Sequence, residues 1–148
     1  MSKTIEEVIS EYGYCVKKPK GTSMYPMLRL NCDSICVVRP ALPLKKYDVA
    51  LFKRATGAYV LHRVMDVRED GYVFCGDNQC SFESGVTDDM IVGVLQSWYT
   101  GKKEHKVTDR GYLRYVSFWC SSMRLRAYIL WFCHKFLWRK YRGKSVTG

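Results

Sequence analysis

The sequence predicts a mainly β domain, with mixed or antiparallel strands in a partly closed barrel, between a short N-terminal helix and a C-terminal amphipathic helical segment. Three observations predict this. The length of 148 residues suits about one domain. Short β-like runs alternate with turn residues through the middle of the chain. Near the end, apolar residues recur every three or four positions, as in a helix. The predicted regions are 1–13, 14–109 and 110–148.

The first element is a short helix from Thr4 to Tyr12. Thr4 is a good N-cap, Glu6 and Glu7 favour the positive end of a helix, and Gly13 is a typical stop. This stretch has no apolar core of the kind found in secretory signals. We therefore expect synthesis in the cytoplasm without a cleavable signal.

The middle of the chain predicts six short strands separated by turn residues. Asp70 and Gly71 form a hairpin signal between the fourth and fifth strands. The predicted strands are Tyr14–Lys18, Ser34–Arg39, Tyr47–Arg54, Ala58–Val67, Tyr72–Cys75 and Met90–Tyr99.

Charge is distributed unevenly along the chain. Residues 1–109 hold 15 Lys and Arg against 14 Asp and Glu, whereas residues 110–148 hold 9 Lys and Arg and no acid. A basic segment of this kind favours an acidic partner surface, either anionic lipid or nucleic acid. The seven cysteines form no C-x-x-C pair and no zinc-ribbon spacing, so we expect free thiols and no metal site.

The loop GTSMYPML, from Gly21 to Leu28, is the first candidate for chemistry. Gly21 permits unusual backbone angles, and a tight loop can expose the hydroxyl of Ser23. Backbone N–H groups in such a loop can form an oxyanion hole, with support from Gly21, Thr22 and Met24. The alternative is that Ser23 is an ordinary turn residue.

His62 and Asp77 are the other candidates. His62 lies in an otherwise apolar strand, and an imidazole with a pKa near ~6.5 can accept a serine proton at neutral pH. Asp77 follows a strand and either orients His62 or holds the loop around it. The alternatives are a structural histidine and a β-turn aspartate.

Four blocks in this order resemble the type I signal peptidase superfamily, which includes the repressor autoproteases. The blocks are GTSMYPML, YDVALFKR, YVLHRV and CGDNQ. The resemblance implies that Ser23 is the nucleophile, that His62 is the base of the Ser–His branch, and that Asp77 is its acidic partner. It also implies a further acidic residue a few positions after the block that contains Asp77. The nearest acids are Glu83, Asp88 and Asp89, and the sequence does not choose among them.

The resemblance implies a serine endopeptidase that cleaves a signal-like or leader-like peptide without a metal or cofactor. The alternative is a catalytically inactive β module whose basic C-terminal helix binds a membrane or nucleic acid. Nucleic acid is the less favoured partner, because the aromatic residues of this segment lie among long aliphatic side chains.

The C-terminal segment predicts an amphipathic helix, broken near Ser121 and Ser122. Arg124, Arg126 and Lys135 interrupt its apolar run, so we expect residues 111–142 to lie in the interface of an anionic membrane rather than to span it. The main apolar stripe, expected to face the lipid with flanking tryptophans, is Leu113, Val116, Cys120, Met123, Ala127, Leu130, His134, Leu137 and Tyr141. A second, narrower strip is Phe118, Leu125, Ile129 and Phe136.

The alternative for this segment is a helix docked on the β domain. With the segment at the membrane interface, we expect a chain ending at Asp109 to be soluble and to keep its β fold.

Overall fold

The computed structural model describes residues 2–136, which form three α-helices, eight β-strands and one 3-10 turn. The helices are α1 (Ile5–Tyr12), α2 (Arg110–Ser121) and α3 (Met123–Phe136). The strands are β1 (Tyr14–Lys17), β2 (Asp33–Val38), β3 (Val49–Lys53), β4 (Tyr59–Arg68), β5 (Gly71–Cys75), β6 (Glu83–Val86), β7 (Ile91–Thr100) and β8 (Lys103–Lys106). The mainly β class with helices at both ends is thus confirmed.

All eight strands pair antiparallel in one sheet, in the order β1-β2-β7-β3-β4-β5-β6, with β8 added beside β7. The expected closure is wrong for the part of the chain that the structure describes, because the end strands β1 and β6 do not pair. Register shifts in four of the strand pairs mark bulges or irregularities, and bulges bend strands without closing a sheet.

The central strand β3 separates two cores. Val49 and Leu51 pack in a cluster that also receives Ile5 and Ile9 of α1, whereas the alternate residues of β3 pack in a second cluster. Burial on both faces explains why this strand is a continuous apolar run rather than an alternating one. The first cluster forms the floor beneath the candidate site.

Helix α1 is confirmed together with its caps. Thr4 and Glu7 form a capping box, in which the Glu7 N–H donates to Thr4 Oγ1 at 3.2 Å and the Thr4 N–H donates to Glu7 Oε2 at 2.8 Å. Gly13 adopts the left-handed conformation at φ 82°, and its N–H donates to the Ile9 carbonyl at 2.8 Å.

The C-terminal segment is two helices, and the predicted break is confirmed at Ser122, whose φ of −148° and ψ of 117° are extended. Helix α2 buries Val116 and Trp119, and α3 buries Arg126 and Leu130. Two members of the main apolar stripe, Val116 and Leu130, are therefore docked on the protein, whereas Leu113 is 53% exposed. Leu137, Tyr141 and the basic residues after them lie outside the described residues. Within residues 2–136, no helix has the length and apolar character that crossing a membrane requires.

The docked α2 changes the expectation for a chain ending at Asp109. We expect this shortened chain to unfold at a clearly lower urea concentration than the full chain, since each large buried side chain of α2 contributes about 1.5–3 kcal/mol. A chain ending at residue 136 is the control and should unfold near the full chain. Equal midpoints for the full chain and the chain ending at Asp109 would show that α2 adds nothing to the β domain.

Candidate active site

Ser23 lies in the loop between β1 and β2, which is held from both sides. Within the loop, the Tyr25 N–H donates to the Thr22 carbonyl at 3.1 Å and the Leu28 N–H donates to the Met24 carbonyl at 2.9 Å. The side chains of Met24 and Leu28 are buried in the first core cluster. Ser23 is half-buried between these fixed points, so the loop presents it at a defined position.

Ser23 and His62 line the same cavity, whose volume is about 610 Å³. Helix α1, strands β1 to β4 and the serine loop surround it, and the volume falls within the usual range of ligand sites. Its floor is apolar, with Ile35, Leu51 and Leu61 among the lining residues. The cavity therefore joins two predicted site residues to a surface that can receive apolar side chains.

His62 lies on β4 opposite Ala50 of β3 and is only 6% exposed. Its Nδ1 atom is buried and has no hydrogen-bond partner among the described residues. Burial lowers the pKa of His62 below its ordinary value of 6.5, while the charge of Glu83 raises it and that of Arg54 lowers it. The imidazole is thus neutral at neutral pH and able to accept a proton.

A turn at residues 76–79 joins the serine loop to the end of β5. The Asn78 N–H donates to the Ser23 carbonyl at 2.8 Å, and Asn78 Nδ2 donates to the Thr22 carbonyl at 3.1 Å. A Cβ atom on Gly76 would lie 2.6 Å from the Ser23 carbonyl oxygen and 3.1 Å from His62 Nε2. Glycine is therefore required here, since the serine backbone and the imidazole both pack against its Cα.

Ser23 and His62 lie beside the same cavity but are not hydrogen-bonded to each other within the described residues. Among residues 2–136, no hydrogen bond links Ser23 Oγ to His62, although both border Gly76. Catalytic hydrogen bonds are often long without substrate and tighten in the bound complex, so the arrangement is compatible with a dyad. Gly76 and Asn78 are site residues that the sequence analysis missed. Their signal was the turn adjoining Asp77.

The hydrogen bonds of Asp77 go to Arg63 and to helix α2. Its carboxylate receives two hydrogen bonds from Arg63, one from Nε to Oδ1 at 2.8 Å and one from Nη2 to Oδ2 at 2.7 Å. Tyr115 donates its hydroxyl to Oδ2 at 2.8 Å, and Trp119 Nε1 donates to the Asp77 carbonyl at 2.9 Å. None of these hydrogen bonds reaches the imidazole, although the charge of Asp77 acts to raise the pKa of His62. The contacts of Asp77 instead hold the turn that binds the serine loop.

Arg63 carries this support to three other elements. Its Nη1 donates to the Tyr47 carbonyl at 3.1 Å and to the Tyr112 hydroxyl at 2.8 Å, and its Nη2 lies 3.3 Å from Met27 Sδ in the serine loop. Burial acts to lower the pKa of Arg63, but the bonds to Asp77 outweigh burial and raise it. The guanidinium stays charged, so the buried pair is an ion pair.

Glu83 is the acid that faces His62. Glu83 and His62 line a second cavity of about 310 Å³, in which Arg54 donates to Glu83 at 2.8 and 2.6 Å. Arg54 keeps the pKa of Glu83 below its ordinary value, so this carboxylate is charged. By contrast, Asp88 accepts from the Tyr72 hydroxyl at 2.5 Å and Asp89 accepts from Thr87. Of the three acids left open by the sequence, Glu83 is the one whose charge reaches the imidazole.

The three loop residues expected to support an oxyanion differ in their placement. Gly21 has a φ of 76° and lines the cavity, which agrees with its predicted backbone freedom. Thr22 accepts hydrogen bonds at its carbonyl from Tyr25 and Asn78, and Met24 is buried. In this structure, Thr22 and Met24 hold the serine loop in its conformation.

Comparison of the chain with protein-family models, with curated proteins and with solved structures finds no match. Within the described residues, no group of three or more His, Cys, Asp and Glu side chains is placed to hold a metal ion.

Removing the Asp77 carboxylate should destabilise the fold strongly. In Asp77→Ala the Arg63 charge stays buried without its partner, and breaking a buried pair in this way costs about 3–5 kcal/mol. Urea unfolding measures this cost. The matched control is Asp66→Ala, which removes an exposed partner of Arg68 and should cost less than about 1 kcal/mol. Similar costs for the two variants would contradict the assignment.

The pKa of His62 should lie below 6.5 and respond in opposite directions to two neutral substitutions. Glu83→Gln removes a negative charge and should lower the pKa further, whereas Arg54→Gln removes a positive charge and should raise it. NMR titration of the imidazole, assigned with a His62→Gln variant, measures both shifts. Because the folded pKa lies below the unfolded one, His62 also costs stability as the pH falls through about 6.5. Shifts of the same sign would refute this electrostatic arrangement.

Proposed function

We propose that the chain is a serine endopeptidase that hydrolyses a peptide bond in a signal-like or leader-like peptide, as its signal-peptidase-like motifs imply. One observation carries the proposal: Ser23 and His62 line one cavity and meet around Gly76. A nucleophile, a neutral base and an apolar cleft are the parts that acyl transfer requires.

In the proposed reaction, His62 takes the proton of Ser23 Oγ as this oxygen attacks the scissile carbonyl. Backbone N–H groups of the serine loop stabilise the tetrahedral oxyanion. His62 then gives the proton to the leaving amine, which departs and leaves an acyl-serine. Water hydrolyses the acyl-serine with His62 again acting as base.

The two carboxylates have different tasks in this proposal. The charged Glu83 stabilises the imidazolium that forms when His62 accepts a proton, because its negative charge favours the charged ring. Asp77 is a positioning residue, since it acts through Arg63 and the turn that binds the serine loop. Arg54 holds Glu83 at the second cavity beside His62.

An extended peptide suits the shape of the cleft. Strand β1 is an edge of the sheet, and Cys15 and Lys17 of this strand line the cavity together with Tyr59 and Leu61 of β4. An edge strand can pair with an extended segment while pockets receive alternate side chains. The apolar floor favours apolar side chains of the substrate near the cleaved bond.

The second candidate function is a catalytically inactive β module. Within residues 2–136, Ser23 Oγ makes no hydrogen bond to His62 and the buried Nδ1 of His62 has no partner, which favours this function. A probe that reacts only with an activated serine separates the two functions.

A fluorophosphonate probe should label the full chain at Ser23. Ser23→Ala should abolish labelling and peptide hydrolysis, and His62→Ala should reduce both by about 10²-fold or more, since general base catalysis contributes about 10²–10⁴-fold. Mass spectrometry locates the label, and Ser10→Ala, at an exposed serine of α1, is the matched control. Absence of labelling on the folded full chain, or equal labelling of Ser23→Ala, would favour the inactive module.

A further inference from the structure

Helix α3 exposes a row of large aromatic side chains on one side. We define the aromatic face as Tyr128, Trp131, Phe132 and Phe136, whose side chains are between 47% and 63% exposed. At about 100° per residue, these positions fall within one side of the helix, and the buried Arg126 and Leu130 fall on the opposite side. The aromatic face is therefore turned away from the protein, and each of its residues stays about half exposed or more within residues 2–136.

Basic side chains accompany the aromatic face. Arg124 and Lys135 are exposed and fall on the same side of α3, and Lys135 Nζ lies 4.7 Å from the centroid of the Trp131 ring. Aromatic rings with a polar edge and long basic side chains are the groups that settle at the boundary between lipid chains and headgroups. Their combination on one face suits that boundary better than bulk water.

Charge selects the kind of partner. Residues 110–148 carry nine basic residues and no acid, whereas the preceding 109 residues are nearly neutral. A second copy of the chain would bring two basic faces together, which is unfavourable. An anionic lipid surface instead attracts this charge and accepts the aromatic side chains.

We infer that the aromatic face of α3 binds the interface of an anionic bilayer, with the helix lying along the membrane surface. This inference uses a different surface from the sequence-based expectation, in which the main apolar stripe faced the lipid, because Val116 and Leu130 of that stripe are buried against the protein. The exposed face contains Phe136 of the narrower strip and three aromatic residues that belonged to neither stripe.

The inner side of α3 places this surface near the candidate site. Arg126 Nε donates to the Trp119 carbonyl at 3.2 Å, and its Nη1 lies 3.8 Å from Cys75 Sγ at the end of β5. The turn that holds Asp77 follows Cys75 directly. A membrane bound to the outer side of α3 would thus lie about one helix diameter, roughly 10–12 Å, from the end of β5.

The test is sedimentation of the full chain with vesicles of phosphatidylcholine, with and without phosphatidylglycerol. We expect the chain to pellet with the anionic vesicles, to bind the neutral ones more weakly, and to be partly released by salt. Arg124→Gln with Lys135→Gln should weaken anionic binding more than tenfold, since each basic residue near the surface contributes about fivefold. The matched control is Lys102→Gln with Lys103→Gln, two exposed basic residues in the β7–β8 hairpin.

A second set of variants tests the aromatic side chains. Trp131→Ser, Phe132→Ser and Phe136→Ser together should abolish binding to both kinds of vesicle, while Tyr12→Ser, at an exposed aromatic of α1, should leave it unchanged. Urea unfolding checks that the variants remain folded. Fluorophosphonate labelling without vesicles should be the same in all of them, so this inference and the proposed catalysis can fail separately.

Two results would overturn the inference. One is vesicle binding that survives loss of the three aromatic side chains in a folded protein. The other is absence of vesicle binding by the full chain. In the second case, a change in oligomeric state on removing the aromatic side chains would assign the face to a second copy, and oligonucleotide binding lost in the same variants would assign it to nucleic acid.

Discussion

The buried ion pair between Arg63 and Asp77 is the interaction on which the rest of the site depends. Both side chains are fully buried, and removing two charges from water costs several kcal/mol unless every polar atom finds a partner. The partners come from different parts of the chain, namely the Tyr112 and Tyr115 hydroxyls of α2 and the Tyr47 carbonyl before β3. Satisfying the pair therefore requires α2, β4 and the turn at residues 76–79 to adopt one relative arrangement. That turn in turn binds the serine loop.

Strand β4 separates chemistry from support because its side chains alternate. His62 lies opposite Ala50 and borders the cavity, whereas Arg63 lies opposite Val49 and enters the buried ion pair. Hydrogen bonds and charge distinguish the two acids. Asp77 neutralises Arg63, and Glu83, held by Arg54 at the second cavity, acts on His62 through its charge. Burial lowers the pKa of the imidazole while Glu83 moderates that effect, which keeps the ring neutral but able to take a proton.

Sequence patterns predicted the helices and strands whose residues are buried or form helix caps. They missed the strands that are held mainly by backbone hydrogen bonds to a neighbouring strand. The six predicted strands carry apolar alternation or continuous apolar runs, whereas β6 (ESGV) and β8 (KEHK) are largely polar edge strands held by backbone bonds to β5 and β7. The partner of Asp77 was missed because a strand pattern does not say which face a charged residue uses. The docking of α2 did leave a signal, since Tyr112, Tyr115, Val116 and Trp119 have the i, i+3, i+4, i+7 spacing of one helix face. Three of them carry polar groups that need buried partners.

The two C-terminal helices differ in how firmly their inner sides are held. Helix α2 makes strong hydrogen bonds to Arg63 and Asp77 and buries Trp119. Helix α3 instead buries Arg126, whose acceptors are one carbonyl and two thiols, at 3.8 Å from Cys75 and 3.5 Å from Cys120. Sulfur is a weak acceptor, so a buried guanidinium gains less there than Arg63 gains from a carboxylate. A partner bound to the outer side of α3 would therefore stabilise the docking of this helix, whose hydrogen bonds to the rest of the protein are weaker than those of α2. Because Arg126 also donates a hydrogen bond to the Trp119 carbonyl, such a partner would also stabilise α2, whose Tyr115 and Trp119 bind Asp77.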